Sequence, residues 1–421
     1  MINQVEKKNP KRRFKEFLGK ENWNVHTLGT VLMSMYNGQT PSRSKGEYWN
    51  GKINWLTSGE LNCGIVNDTF EKITELGLDS AKLKIIPKGI LVIAITGLEA
   101  SGTRGNCAIL GCNTTLNQSC MALFPIRSLI SSDFLFYWYL FIGDYYGIKY
   151  TQGTKQQSYN AKILNDLEIL IPSLDEQNKI SSFFSKLDSM IDFQKRKLDK
   201  LEATKKALLQ EIFPEEGQDK PKRRFKGFTG AWEQRKLSEF VDKAVDNRGK
   251  TPPLDENGAH PLIEVAALGG VYPDYSKVEK YLSDDVFNTN LRAYIKKDDI
   301  LFTTVGSIGL VSLMDSREEA AIAQNIVAFR AKENFLPEYL YALFSNEDNQ
   351  YKAKRIAMVA VQPSIKVSQL VNVEYMISTN IEEQERIGVF FSSLQSLITL
   401  HQRKLDKLKN LKQAYLNEMF V

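Results

Sequence analysis

The side chains that most often carry out catalysis are sparse in this chain and stand outside known catalytic patterns. Only three histidines occur, His26, His260 and His401, and none lies in an H-x-E, HExxH or triad context. The stretch GLEASGT at residues 97–103 imitates a phosphate-binding loop, but no lysine fills the required place and Arg104 follows its threonine. Neither an adenine-methylation motif nor a nuclease spacing is present. The sequence therefore predicts a chain that is not an enzyme.

Length, composition and cysteines set the broad class. A chain of 421 residues is too long for one hydrophobic core and suits two to four domains. No run reaches the roughly 18 apolar residues of a membrane span, so we expect a cytoplasmic protein with no membrane partner. The four cysteines, Cys63, Cys107, Cys112 and Cys120, match no common zinc or disulfide spacing. We expect reduced thiols and no metal site.

Most of the chain consists of two copies of one sequence unit. PKRRFKEF at residues 10–17 returns as PKRRFKGF at residues 221–228, and GQTP at residues 38–41 returns as GKTP at residues 249–252. Further stretches repeat in the same order: ILVIAITG and ILFTTVG, FLFYWYLF and YLYALF, and DEQNKISSFFSKLDSMI and EEQERIGVFFSSLQSLI. Chance does not produce such an ordered series, so the repeat must govern the fold.

Each copy pairs a globular part with a long helical part. The globular parts mix short β-rich runs, turn residues and one aromatic helical stretch, which predicts an α+β domain. The helical parts begin with acidic residues and run for about 39 residues, or roughly 55 to 60 Å. The predicted fold is α+β, with two similar globular domains separated by two long antiparallel helices in a coiled coil and related by a pseudo-two-fold internal repeat.

The predicted boundaries follow the same duplication. The segments are an N-terminal segment (1–22), a first globular domain (23–171), a central spacer helix (172–213), a linker (214–231), a second globular domain (232–377) and a C-terminal spacer helix (378–421).

Both spacer helices carry a seam whose positions step by four and three residues, as in coiled coils. The first seam is Leu187, Ile191, Gln194, Leu198, Leu201, Lys205, Leu208 and Ile212, and the second is Leu394, Ile398, His401, Leu405, Leu408, Lys412, Tyr415 and Met419. The apolar pattern breaks at the same two levels in each. We hypothesise an antiparallel register in which Gln194 faces Lys412 and Lys205 faces His401. The alternative is two separate amphipathic helices, each packed on its own domain.

Two similar but divergent domains on a stiff spacer favour a protein that recognises two separate sites of one ligand at the same time. Duplex DNA fits this description, because its grooves recur about every 34 Å and present base edges to two half-sites. A homodimer would read a palindrome. A fused pair with different loops would read two unrelated half-sites.

The order of the segments along the chain resembles that of a known family. The segments follow one order: PKRRFKEF and a tryptophan, a globule, and DEQNKI to RKLDKL, and then PKRRFKGF and a tryptophan, a globule, and EEQERI to RKLDKL. This order is similar to that of the specificity subunit of type I restriction-modification systems over essentially the full length. The resemblance lies in the architecture and the duplicated segments. It implies that each globule is a target recognition domain and that the pair reads a bipartite, asymmetric site. The rods would set the gap between the half-sites.

The resemblance also implies partners and cofactors. Two modification subunits would bring S-adenosylmethionine and flip the target adenine out of the duplex. Restriction subunits would bring ATP-driven translocation and cleavage, with Mg²⁺, and this chain itself would hold no cofactor. Charged side chains at residues 195–197, 205 and 206 could meet the modification subunits or DNA phosphates, or simply be solvated.

Base reading needs polar and basic side chains on loops. The candidates in the first domain are Tyr36, Gln39, Arg43, Lys45, Thr57, Ser58, Ser101, Thr103, Arg104, Lys155, Gln156, Gln157, Ser158 and Asn160. Those in the second domain are Asn247, Arg248, Lys250, Thr251, Ser307, Lys352, Lys354, Arg355, Gln362 and Ser364. Gly153 to Gln156 resemble a G-T-x-Q loop of the family, and the second copy keeps only Gln362. For each residue a solvated loop is the alternative.

Two other functions stay open on the sequence alone. One is a stand-alone enzyme of unknown motif, such as a nuclease. The other is a cytosolic, pseudo-symmetric scaffold that binds proteins without DNA specificity.

Overall fold

The computed structural model describes residues 9–100, 102–151, 157–246, 252–317, 319–357 and 364–421. The chain divides into two compact units. The first holds the chain up to Asp192 together with Lys407–Val421, and the second holds Phe193–Asp406. Each unit contains one globular domain and part of both long helices.

The first globular domain is built on three small sheets. Its strands are β1 (Asn24–Thr27), β2 (Leu32–Asn37), β3 (Trp49–Leu56), β4 (Ile65–Val66), β5 (Glu71–Ile73), β6 (Leu91–Ala94), β7 (Cys107–Leu110), β8 (Thr115–Leu116), β9 (Cys120–Pro125) and β10 (Glu168–Ile171). They pair in the orders β1-β10, β2-β9-β6-β7-β4 and β5-β3-β8. All four residues of β6 are buried, because its sheet is covered on both faces.

Four short or medium helices complete this domain. They are α1 (Leu28–Val31), α2 (Glu75–Ser80), α3 (Ser132–Lys149) and α4 (Ala161–Asp166), with 3₁₀ turns at Lys15–Phe17, Gly46–Tyr48 and Ser58–Glu60. The aromatic helix α3 begins where the Ser131 side chain accepts a hydrogen bond from the Phe134 N–H, a typical N-terminal cap. All residues from Phe134 to Tyr139 are buried, and Tyr137 packs on Phe184, with ring centroids 5.1 Å apart, so α3 forms the centre of the core.

The second globular domain repeats this plan. Its strands are β11 (Glu233–Lys236), β12 (Val241–Asp246), β13 (His260–Ile263), β14 (Tyr281–Leu282), β15 (Ile300–Thr303), β16 (Val311–Leu313), β17 (Ala321–Ile322), β18 (Ile326–Ala331) and β19 (Glu374–Ile377). They pair in the orders β11-β19, β12-β18-β15-β16 and β14-β13-β17. The pairings match those of the first domain strand for strand, apart from the short edge strand β4.

The helices of the second unit follow the same order with one difference. They are α6 (Leu237–Phe240), α7 (Asp284–Asn290), α8 (Pro337–Ser345), α9 (Glu347–Ala357) and α10 (Val367–Leu370), with 3₁₀ turns at Val265–Ala267 and Tyr275–Lys277. Where the first domain has the single helix α3, the second has α8 and α9, separated at Asn346. The shared framework and the predicted α+β class are confirmed.

Two long helices carry the rest of the repeat. The helix α5 (Leu174–Ile212) lies in chain order between α4 and β11, and α11 (Ile381–Met419) follows β19; each has 39 residues. Within the second unit their contacts run antiparallel, since Gln194 meets His401 and Lys205 meets Gln395. Every predicted seam residue is buried or half-buried.

The predicted register of this seam is wrong. It placed Gln194 opposite Lys412 and Lys205 opposite His401. In the structure the Gln194 amide instead contacts the His401 ring and lies 3.3 Å from the His401 carbonyl. Lys205 Nζ donates a hydrogen bond of 2.6 Å to Gln395 Oε1. The observed partner of Gln194 lies 11 residues before the predicted one in the chain, and the observed partner of Lys205 lies six residues before it.

The displacement has a physical reason. A seam whose positions step by three and four residues offers apolar partners in more than one register, so the apolar residues alone do not select one. Polar partners decide, and two of them lie beside the seam. In the first unit Lys412 Nζ forms an ion pair of 2.6 Å with Asp188, and in the second unit Lys205 has Gln395.

The two KRRF segments join the ends of the long helices. In the first unit Arg13 makes a two-pronged ion pair with Glu176, and in the second Arg224 makes the same pair with Glu383. Each glutamate lies in the first turn of a long helix. The arginine one residue earlier contacts the last turn of the other long helix, through Glu418 in the first unit and Glu211 in the second. We call these two arrangements the helix clamps.

In the described part of the chain, no helix combines the length and the apolar character that crossing a membrane requires.

Candidate nucleic-acid interface

Loops from separate parts of the first domain converge at the end of strand β2. The Asn37 side-chain amide donates hydrogen bonds of 2.9 Å to the carbonyls of Gln118 and Cys120. The Gln39 N–H donates to the Leu116 carbonyl at 3.0 Å, and the Thr40 hydroxyl contacts the Gln118 side chain. The loop after β2 is therefore held against the loop between β8 and β9.

A second pair of segments extends the same surface. The Ile95 N–H donates to the Ser119 carbonyl, and the Tyr159 N–H donates to the Ile95 carbonyl, both at 2.9 Å. Thr96 and Ser158 form an isolated β-bridge. Residues 37–40, 95–98, 116–120 and 157–159 thus form one contiguous group, which we call the first loop cluster. It brings the predicted residues Gln39, Gln157 and Ser158 together.

The second domain assembles the equivalent loops with the same hydrogen bonds. The Thr304 N–H donates to the Asn325 carbonyl, and the Ile365 N–H donates to the Thr304 carbonyl, both at 2.9 Å. Val305 and Ser364 form the matching β-bridge. Residues 304–309, 324–325 and 364–365 form the second loop cluster, which contains the predicted residues Ser307 and Ser364, both exposed.

An open cleft of about 480 Å³ borders the first loop cluster and is lined by Tyr36, Gln39, Thr40 and Lys82, among others. The Tyr36 hydroxyl accepts a hydrogen bond of 2.9 Å from the Lys84 N–H, and Lys84 Nζ lies 5.5 Å from the Tyr36 ring. Both lysines are exposed. The cleft combines amide, hydroxyl and cationic groups, which suit base edges and phosphates.

Two copies of one family's domain are recognisable in the sequence. The model of the type I restriction modification DNA specificity domain matches residues 20–203 and again residues 230–410. The chain belongs to this family. Each match takes in one globular domain and most of one long helix, so the sequence repeat, the structural repeat and the family model coincide.

Relatives match over nearly the whole chain. The MjaVIII type I restriction enzyme specificity subunit of Methanocaldococcus jannaschii is 24% identical over 417 residues, covering 96% of this chain and 94% of the relative. The S subunit of a type I restriction-modification system from M. genitalium has a similar fold, with a TM-score of 0.62, 14% identity, and 98% and 99% of the two chains covered.

A second solved structure, from work on complex assembly and conformational transition of the type I R-M system, has a TM-score of 0.54 at 18% identity, with 94% of this chain and 97% of that chain covered. These likenesses support the fold that the repeat predicts. The comparisons give no support to the protein-binding scaffold.

The Arg43 side chain of this specificity-domain protein is fixed both by an ion pair and by cation–π contacts. Its guanidinium lies 3.8 Å from the Trp49 ring centroid and 5.0 Å from that of Trp55. It also forms a two-pronged ion pair with Glu71, which lowers the pKa of that carboxyl. Arg43 is exposed but already has a partner. Lys45 nearby lies 3.9 Å from Glu47.

Three predicted residues stabilise the domain itself. The Thr57 N–H and hydroxyl both donate to Glu60, at 2.9 and 2.8 Å, in a capping box that starts the 3₁₀ turn containing Ser58. Arg104 Nε donates to Asp144 at 2.7 Å, and its stem packs on Gly147, where a Cβ would lie 2.3 Å from Arg104 Cγ. The Thr103 N–H donates a hydrogen bond of 3.0 Å to the Ala100 carbonyl, which closes the turn before Arg104.

Two basic residues of helix α9, Lys352 and Arg355, line a different groove. Arg355 lies 3.3 Å from Glu216, and both line a groove of about 470 Å³ with Lys352 and Gln234. Burial lowers the pKa of Lys352. Lys354 is half-buried on the same helix.

Several predicted residues lie outside the part of the chain that the structure describes. They are Ser101, Lys155, Gln156, Asn247, Arg248, Lys250, Thr251 and Gln362.

Sequence reasoning missed three residues at the first loop cluster and its cleft: Gln118, Lys82 and Lys84. In the sequence, NQS at residues 117–119 repeats as AQN at residues 323–325, which puts Gln118 and Gln324 at equivalent positions, and that signal could have identified both. No comparable signal marked the lysines. Among the described residues, no group of three or more histidine, cysteine, aspartate or glutamate side chains is arranged to hold a metal ion.

Proposed function

We propose that this chain is the specificity subunit of a type I restriction-modification complex. Each globular domain reads one half of a bipartite, asymmetric DNA site through its loop cluster. The two long helices set the gap between the halves. The chain performs no chemistry itself and directs adenine methylation and restriction by other subunits.

One observation carries the proposal: the two domains share a backbone framework and differ in the side chains that the loops present. Two backbone hydrogen bonds and the isolated β-bridge of the first loop cluster recur at equivalent positions in the second, as described above. Gln39 follows β2 in the first domain, whereas the repeat has Lys250 at the equivalent position of the sequence. A constant frame with variable loops suits two readers of unlike base sequences.

The electrostatic demand of DNA binding supports the same assignment. Lys82, Lys84 and Arg43 place positive charge around the first loop cluster. Arg43 is neutralised by Glu71, so phosphate attraction falls chiefly to the two lysines. The sequence net charge is only +5, and we therefore expect modest affinity for DNA until other subunits add contacts.

The proposal extends to partners, cofactors and location. Two modification subunits would supply S-adenosylmethionine and base flipping. Restriction subunits would supply ATP hydrolysis and Mg²⁺-dependent cleavage, all in the cytoplasm.

The test is to co-express the full chain with the modification subunit of its host and to map methylated adenines across the genome. We expect one motif with two specified halves and an unspecified gap of fixed length. Purified chain incubated with Mg²⁺ and plasmid should leave the plasmid intact. A single continuous motif, or cleavage by the chain alone, would contradict the proposal.

A further inference from the structure

Cys63 and Cys107 lie opposite each other at one edge of the five-stranded sheet. Strand β4 pairs with β7 in parallel, with Ile65 beside Ile109. Two residues earlier on each side, the Cys63 N–H donates a hydrogen bond of 2.9 Å to the Cys107 carbonyl. Cys63 itself precedes β4 and has a left-handed backbone with a φ of 55°, so this hydrogen bond, rather than strand pairing, holds its backbone beside that of Cys107, and the Cα atoms of a disulfide lie about 4.4 to 6.8 Å apart.

The neighbouring Cys107 thiol is the largest cause that lowers the pKa of Cys63, to about 6. Burial raises the pKa of Cys107. Cys63 is exposed and Cys107 is buried. The exposed thiol therefore ionises more readily than its buried neighbour.

The remaining cysteines have different surroundings. Cys120 is buried within β9, where burial raises the pKa of its thiol. Cys112 is half-buried and its sulfur accepts a hydrogen bond of 3.2 Å from the Asn54 amide. Neither has the combination of exposure, thiolate and adjacent thiol that redox-active cysteines share.

We propose that Cys63 and Cys107 are a peroxide-sensitive pair that closes into a disulfide in the first domain. The Cys63 thiolate attacks one oxygen of hydrogen peroxide, which breaks the O–O bond and releases hydroxide, leaving a sulfenic acid on Cys63. The Cys107 sulfur then attacks the Cys63 sulfur, and the S–O bond breaks. The Cys107 proton and the departing hydroxyl leave as water. In total the two thiols are oxidised and one peroxide becomes two waters.

The bond would fasten a turn of the recognition domain. Cys107 directly follows the turn that contains Thr103 and Arg104, and Asn106 Nδ2 closes that turn onto the Gly102 carbonyl at 2.7 Å. The Cys63 sulfur lies 3.9 Å from Asn106 Oδ1. A disulfide at this point ties the turn to the sheet edge at β4. The modification is independent of any DNA-binding role of the domain.

The test treats the reduced, full-length chain with hydrogen peroxide and measures its intact mass, and then blocks the remaining thiols with iodoacetamide for non-reducing peptide mass spectrometry. We expect the intact mass to fall by two hydrogens, a cross-linked peptide pair containing Cys63 and Cys107, and full reversal by dithiothreitol. The variant Cys63→Ser, at an exposed position, should fold normally by circular dichroism and lose the cross-link. The matched variant Cys112→Ser should keep it.

Three results would overturn the proposal. They are an unchanged mass after peroxide treatment, oxygen addition at Cys63 without a cross-link, or a cross-link that involves Cys112 or Cys120. Each readout is a mass, so none depends on whether the chain recognises DNA.

Discussion

Arg224 donates two parallel hydrogen bonds to the fully buried Glu383 carboxylate, of 2.6 Å from Nε and 2.8 Å from Nη2. Arg13 and Glu176 repeat the arrangement at 2.8 and 2.6 Å. Both carboxylates lie in the first turn of a long helix, where the helix dipole favours negative charge. A fork-shaped guanidinium on a planar carboxylate fixes distance and orientation together. The helix clamps therefore define how each KRRF segment is attached to the long helices.

Removing the buried ion pair of a helix clamp should lower the free energy of unfolding far more than removing the exposed ion pair. The substitution Arg224→Met leaves the Glu383 carboxylate buried without its cation, so we expect the free energy of unfolding to fall by about 3–5 kcal/mol. Urea denaturation of the full chain, followed by circular dichroism, measures this change.

The neighbouring arginine gives the matched control. Arg223 pairs with Glu211 at an exposed site, with 62% of its side chain accessible. The variant Arg223→Met should cost no more than about 1 kcal/mol. Equal losses from the two variants would show that burial of the ion pair is not what matters.

Lys205 predicts a pH dependence of stability at alkaline pH. Burial lowers its pKa from 10.5 to about 8, so the unfolded chain binds the proton more tightly than the folded chain. Between about pH 8 and 10.5 the free energy of unfolding should therefore rise with pH, as the burial penalty disappears. Comparing Lys205→Met with the unaltered chain isolates this effect, because only the unaltered chain has that titration.

The same substitution should change stability at neutral pH. Replacing a buried cation with an apolar side chain of similar length is expected to raise the free energy of unfolding by about 1 kcal/mol at pH 7. The control is Lys206→Met, at an exposed position on the same helix, which should show neither effect. A Lys205→Met chain that is less stable at pH 7 and titrates like the original would refute the account.

The Gln194 and His401 layer predicts a different dependence at acidic pH. Desolvation, with Lys197 and Lys404 nearby, lowers the pKa of His401. The unfolded chain then takes up the proton first, so stability should fall as pH drops below about 6.5. Thermal unfolding of the full chain from pH 7.5 to pH 5.5 measures the loss, and Gln194→Leu combined with His401→Leu should reduce it.

The lysines beside the first loop cluster predict a change in salt dependence. If Lys82 and Lys84 contact DNA phosphates, each alanine substitution should reduce the slope of log affinity against log salt by about one unit. The loss should be the same on every DNA sequence. Fluorescence anisotropy with the chain in its complex with modification subunits measures it, and Lys186→Ala, exposed on α5, serves as control. An unchanged slope for both lysines would remove the cleft from the interface.

The sequence predicted the fold well because the fold is duplicated. Two aligned copies of PKRRF, of a β-rich stretch and of a 39-residue helix leave few architectures that bury both sets of apolar residues. The register of the long helices was not predictable in the same way. Leu198 and Leu405 fit the seam in either register, and the choice depends on Asp188 and Gln395, which stand outside the heptad pattern.

The candidate site was predicted only in part, since residue type does not reveal existing partners. Thr57 and Arg104 have the side chains that base reading uses, yet a capping box and an ion pair with Asp144 already occupy them. Lys82 and Lys84 were missed because nothing in the sequence shows that the loop after α2 returns to Tyr36. Hydrogen-bond partners distant in the chain decide which polar groups remain available.

The central claim is that each domain specifies its own half of one DNA site, and methylation mapping with loop variants tests it most directly. The chain carrying Gln39→Ala and Gln118→Ala would be compared with the chain carrying Ser307→Ala and Gln324→Ala, each co-expressed with the modification subunit. We predict that the first variant relaxes bases in one half of the motif only, that the second relaxes bases in the other half only, and that the gap stays constant. Relaxation of both halves by either variant, or a changed gap, would contradict the account.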